Sequence, residues 1–128
     1  MIVVDASAMV EAITGNTTTQ AALAGRALHA PHLIDSEVTS TLRRQASAGR
    51  ISTRDALRSL TVLRELGLTR YPSFGLFERM WELRDNLTSY DATYVAVAEA
   101  LDCPLVTADA RIAGAPGVRC EVTVVPAR

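Results

Sequence analysis

The chain has 128 residues, 48% of them hydrophobic and 21% charged, which is enough apolar material for one compact domain and too little length for two. A formal charge of −1 gives no overall attraction to nucleic acid or to a membrane surface, and no apolar run approaches the roughly 18 residues that span a bilayer. Cys103 and Cys120, the only cysteines, supply neither a disulfide framework nor a CxxC zinc site, so a soluble cytoplasmic protein is expected.

"MIVVDAS" opens the chain without a basic n-region and with a charge at position 5, so it reads as a strand and not as a signal peptide. The apolar, β-branched "IVV" runs into the helical pattern "SAMVEAIT". Residues 17–28 read as a second helix interrupted at Gly25. "APHLIDSEVTSTLRRQASAG" gives an extended Pro-bounded segment, then a helix through Glu37 and Arg44 that stops at Gly49. "STRDALRSLTVLRELG" is a clear helix, with a Ser/Thr start, apolar Leu57, Leu60, Leu63 and Leu66, and a terminal Gly. "LTRYP" is a short strand candidate, and "FGLFERMWELRDNL" and "SYDATYVAVAEA" are helical. "PLVTAD" is a buried strand and "CEVTVV" a last, edge strand. Short apolar strands alternating with helices predict an α/β domain over residues 1–128, built around a mostly parallel sheet.

Charge is unevenly spread. All thirteen basic residues are arginine, and residues 38–77 hold seven of them (Arg43, Arg44, Arg50, Arg54, Arg58, Arg64, Arg70) against Asp55 and Glu65. A basic middle therefore separates two acidic ends, which suits a solvated helical pair or a surface for phosphate groups or an acidic protein partner.

Asp91 heads the almost wholly apolar run "ATYVAVAEAL". An ionised carboxylate in such a setting is costly unless it is paired, hydrogen-bonded or bound to a metal. One explanation is a helix start, with Ser89 as N-cap and Asp91 in the first turn facing the positive end of the helix dipole. The positions of the other acids supply another. In open parallel sheets, ligands bind beyond the carboxyl ends of the strands. Asp5 and Asp109 follow "IVV" and "PLVTA" at such ends, and Glu37 and Asp91 fall near helix starts, which lie on the same rim. Four carboxylates gathered there would repel unless cations were present, and oxygen-only ligands suit Mg²⁺ or Mn²⁺. Such a cluster is what metal-assisted phosphodiester hydrolysis needs. Ser7 and Thr107 stand two residues from Asp5 and Asp109, placed either to orient those acids or to act as an N-cap and an ordinary strand residue.

"VVDASAMVEA", "DSEV", "SYDATYVAVAEAL" and "LVTADARI", in that order over essentially the whole chain, resemble a PIN-domain ribonuclease of the VapC toxin type. The resemblance implies a PIN-like, Rossmann-like α/β/α sandwich and an Mg²⁺- or Mn²⁺-dependent endoribonuclease acting on stable RNA such as tRNA or rRNA. It also implies a homodimer, and inhibition by a cognate VapB-type antitoxin bound near the arginine-bearing helices. The family's metal-binding acids match Asp5, Glu37, Asp91 and Asp109, with Glu37 preferred to Asp35 because "SEV" leads into the helix. "ARIAGAPG" lacks the further acid or Asn that some members carry after the fourth carboxylate, which leaves one firm metal site.

Arg111 is a candidate phosphate contact and Tyr90 a candidate base-stacking residue. His29 and His32 read as surface residues, and Phe77 and Trp81 as core or subunit contacts. Two other functions compete: a catalytically silent PIN-like protein-binding module, and a haloacid dehalogenase-type phosphatase. The latter needs a second Asp where Ser7 stands and an assisting Lys, which the chain lacks.

Overall fold

The computed structural model describes residues 1–128. Its strands are β1 (Ile2–Val4), β2 (Leu28–Pro31), β3 (Leu68–Tyr71), β4 (Leu105–Thr107) and β5 (Val122–Val124). Between them lie α1 (Ala6–Ile13) and α2 (Thr17–Leu23), then α3 (Leu33–Ser47) and α4 (Thr53–Glu65), then a 3₁₀ turn (Phe74–Leu76), α5 (Phe77–Glu82) and α6 (Ser89–Ala100), and lastly α7 (Ala110–Ala113).

The five strands form one sheet in the order β3-β2-β1-β4-β5, and every pairing is parallel. From β1 the chain winds outward through β2 to β3, then returns past β1 to β4 and winds the other way to β5. Right-handed crossovers put the helices of these two excursions on opposite faces. On one face α1 packs against α2, α3 and α4, and on the other α6 lies on β1, β2 and β4 beneath α5. The winding direction reverses between β1 and β4, and in an open α/β sheet that point leaves a crevice beyond the strand ends.

One apolar core of 28 buried residues runs through both layers. α6 needs no polar face because Ala92 through Ala98 are all buried between sheet and α5. No helix is long and apolar enough to cross a membrane.

Three local expectations are corrected. The second helix ends at Leu23, not at residue 28: Gly25 takes a positive φ of 71°, open to glycine, and Leu28 is drawn into β2 opposite Ile2. Only Phe77–Glu82 of the 74–87 segment is α-helical, between the 3₁₀ turn and a run of turns. Thr88, not Ser89, caps α6, its hydroxyl accepting the Asp91 N–H at 3.1 Å.

Candidate active site

At the switch point the ends of β1 and β4 are stitched together by side chains. Asp5, 4% exposed, caps α1: its Oδ1 accepts the Ala8 N–H (2.9 Å) and the Ser7 hydroxyl (2.7 Å). Its Oδ2 accepts the hydroxyl of the fully buried Thr107. Thr107 in turn accepts the Asp109 N–H at 3.0 Å, and Ser7 accepts the Ala108 N–H at 2.9 Å. Ser7 is therefore not the cap but the link between the two strand ends. Asp5 has three donors and no freedom to turn.

Asp5, Glu37, Asp91 and Asp109 all line one cleft of about 500 Å³, together with Ser7, Tyr94, Arg44 and Arg111. Each acid arrives from a different place: the end of β1, the second turn of α3, the first turn of α6, and the end of β4. As placed, no three of them converge on one point. They line the walls, with Asp5 turned to Ser7 and Thr107 and Asp109 turned to Arg111.

The electrostatics divide these acids. Burial pushes Asp5 above the usual carboxylate range despite its three donors, and the Asp91 charge adds to the rise. Burial also raises Glu37 and Asp91, each pushed further by another acid of the cleft, Glu37 by Asp91 and Asp91 by Asp109. Asp109 alone is lowered, by its ion pair with Arg111. None of these three makes an ion pair, although Arg44 draws Glu37 down and Arg111 draws Asp91 down through space. The polar lining is oxygen from Asp, Glu, Ser, Thr and Tyr plus arginine and Gln45 nitrogen, with no thiol or imidazole. That donor set fits a hard divalent cation and not a zinc ion held by Cys or His.

Asp35 lies outside the cleft and is gripped by Arg70 through two hydrogen bonds of 2.7 and 2.8 Å. Two residues along a helix is about 200° around its axis, which is why Glu37 faces the cleft and Asp35 does not. Arg111 lines the cleft, while Tyr90 is 57% exposed and does not. His29 is engaged with the Tyr71 hydroxyl (2.6 Å), and neither histidine reaches the acids. Phe77 and Trp81, 58% and 68% exposed, are not core.

Among the lining residues that the sequence does not mark, three bear on the acids. Arg44 stands two turns after Glu37 on the same face of α3, a spacing that could have marked it, and its charge draws Glu37 down. Tyr94 is 1% exposed, and its hydroxyl faces Glu37 without closing a hydrogen bond. Burial, then the Glu37 and Asp5 charges, raise its pKa well above the usual phenol value. In sequence it reads only as part of the apolar run. Glu11 completes the far wall from α1.

This is the fold of a PIN domain, and the PIN-domain family model matches residues 2–118. The chain is 52% identical over 126 residues to Ribonuclease VapC9 of Mycobacterium tuberculosis, covering 98% of this chain and 99% of that one. It superposes on the crystal structure of PAE2754 from Pyrobaculum aerophilum with a TM-score of 0.70 and 25% identity, covering 94% of this chain and 87% of that one. A chain of a toxin–antitoxin complex from Klebsiella pneumoniae shares the fold at a TM-score of 0.67 and 17% identity, over 99% of this chain and 100% of that one. The chain belongs to the PIN-domain family, within its VapC branch.

Proposed function

We propose that this chain is the toxin of a toxin–antitoxin pair, an endoribonuclease that hydrolyses RNA phosphodiester bonds with Mg²⁺ or Mn²⁺ held by Asp5, Glu37, Asp91 and Asp109. The observation that carries the reading is the arrival of four carboxylates from four separate elements in one cleft, three of them raised by burial and by the charge of a neighbouring acid. When bound, the cation supplies Lewis-acid charge to water and phosphate. The rest belongs to the chain's own side chains. Asp5 is the fixed ligand, oriented by Ser7 and Thr107. Glu37 and Asp91 bring negative charge from α3 and α6, and the Tyr94 hydroxyl faces Glu37. Arg111 and Arg44 flank the acids and hold the RNA phosphates, and Tyr90, exposed at the head of α6, offers a ring to an unpaired base.

Residues 1–128 act as one domain, a reading supported by the single apolar core, and its work on RNA belongs to the cytoplasm. The antitoxin occupies a second cavity of about 1160 Å³ between α1, α3 and α4, lined by Ile51, Val62, Arg50, Arg58 and Arg128. It shares Glu11 and Gln45 with the acidic cleft, so one bound segment can cover both. Two copies pair through the exposed aromatics Phe74, Phe77 and Trp81. The substrate is a stable RNA such as tRNA or rRNA, cut at an exposed single-stranded loop.

The test is expression with and without the neighbouring small open reading frame, followed by mapping of new RNA 5′ ends. New ends that appear only without the partner, and disappear with EDTA in a purified reaction, are the expected result. RNA left intact by the purified protein in Mg²⁺ and in Mn²⁺ would overturn the reading.

A further inference from the structure

Of the four acids proposed as ligands, Asp109 alone makes an ion pair. The Arg111 Nη2 lies 2.7 Å from its Oδ2, and Nε lies 3.0 Å from Oδ1 and 3.2 Å from Oδ2, a fork laid across both carboxylate oxygens. The two partners differ sharply in confinement: the Arg111 side chain is 89% exposed and that of Asp109 24%. The guanidinium makes no other hydrogen bond, and besides Asp109 it feels the Asp91 charge only through space. Asp109 does not depend on the guanidinium in return. Its Oδ1 also accepts the Arg111 backbone N–H at 3.0 Å, an anchor that survives if the side chain leaves. Loss of the fork would thus free Oδ2 while Oδ1 stays fixed.

Resting on the metal-nuclease reading above, we propose that Arg111 is a built-in placeholder for the cation. It occupies Asp109 in the free chain, a divalent ion must displace it to take that carboxylate, and the pair thereby sets the affinity of the cleft for the ion. The exchange makes and breaks no covalent bond: one ion pair is traded for another. An exposed pair is weak, so the handicap it imposes is small, about two- to fivefold in metal affinity. A buried pair there would block loading; an absent one would leave the fourth acid uncompensated before loading. No other arginine of the cleft can serve this way, because Arg44 is turned onto the Ser40 and Thr41 hydroxyls of its own helix.

Simple repulsion between Arg111 and an incoming cation would also weaken binding, so the test must separate fork from charge. Isothermal titration with Mn²⁺ is carried out on the full chain as wild type, Arg111→Gln and Arg111→Lys, each also in an Asp109→Asn background. The placeholder predicts that Arg111→Gln binds Mn²⁺ about two- to fivefold tighter than wild type. It predicts that Arg111→Lys, which keeps the charge but not the fork, falls nearer to the Gln variant than to wild type. With Asp109→Asn in place, neither change alters the affinity. Equal Mn²⁺ affinity in wild type and Arg111→Gln overturns the proposal, as does an Arg111→Lys value matching wild type or a Gln effect that persists without Asp109. Exposure of Arg111 makes misfolding an inadequate excuse for any of these, and far-ultraviolet circular dichroism checks it. The underlying reading fails separately: Mn²⁺ binding would then be absent in wild type, or indifferent to Asp5→Asn and Asp91→Asn.

Discussion

Thr107→Val tests the stitched strand ends, because it removes one oxygen and keeps the shape. That hydroxyl is fully buried, donates to Asp5 and accepts from the Asp109 N–H, with the Ser7 hydroxyl a further 3.2 Å contact. A bond to a charged group contributes about 1.5–3 kcal/mol and a neutral one about 0.5–1.5 kcal/mol, so losing both costs about 2–4 kcal/mol. In a chain of this size each kcal/mol moves the melting temperature by about 4 °C, which gives a drop of about 8–16 °C. Asp5 should also move further above the usual carboxylate range, since one of the three donors that restrain it is gone. Scanning calorimetry and urea titration at neutral pH measure the loss, with Thr107→Ser as the control. Serine keeps both bonds and gives up one methyl group, about 1 kcal/mol. A valine variant melting within about 3 °C of wild type, or serine and valine losing equally, would show that the network does not hold the strand ends together.

Asp91→Asn should abolish RNA cleavage and growth inhibition, by about two orders of magnitude or more, while the metal-free protein melts no lower than wild type because a half-buried charge beside other acids has been removed. Asp35→Asn should cost only about 0.5–1 kcal/mol of stability and leave cleavage intact, whereas Glu37→Gln should do the reverse; paired melts and cleavage assays read both. Glu99 is pushed up by burial but drawn further down by the Arg79 guanidinium and the Arg119 N–H, so its folded pKa is lowered. Stabilisation from a lowered carboxyl is present above its unfolded pKa and lost as pH falls through the folded value. Glu99→Gln should therefore cost about 2 kcal/mol at neutral pH and progressively less in acid below the ordinary glutamate range, as urea melts across pH would show. The raised Asp5, Glu37 and Asp91 have the opposite sign: their contribution to the stability of the metal-free fold is lost as pH rises through their folded pKa values. Protons also compete with metal for these groups, so Mn²⁺ should raise the melting temperature more at neutral than at mildly acidic pH.

Much of this was already written along the chain. Short strand candidates gave β1, β3, β4 and β5, an extended Pro-bounded segment stood where β2 lies, and caps and periodicity gave α1, α3, α4 and α6, because these signals are local. The position of Asp5 and Asp109 at strand ends and of Glu37 and Asp91 at helix starts followed from those elements alone. Where local signals conflicted, the reading slipped. Residues 24–28 look helical until β2 claims Leu28 as the partner of Ile2, and the cap of α6 shifts by one residue.

Tertiary structure decided the rest, since side-chain direction depends on neighbours that lie far off in sequence. It sent Asp35 to Arg70 and left Glu37 in the cleft, and it made Ser7 a bridge to a strand about a hundred residues away. It brought Arg44 and the Tyr94 hydroxyl to the same wall, and spread the four acids around the cleft instead of gathering them at a point. Composition and spacing can bring carboxylates to one rim. Only the packed chain fixes which way each one turns, because that is settled by hydrogen-bond partners and buried charges contributed by other elements.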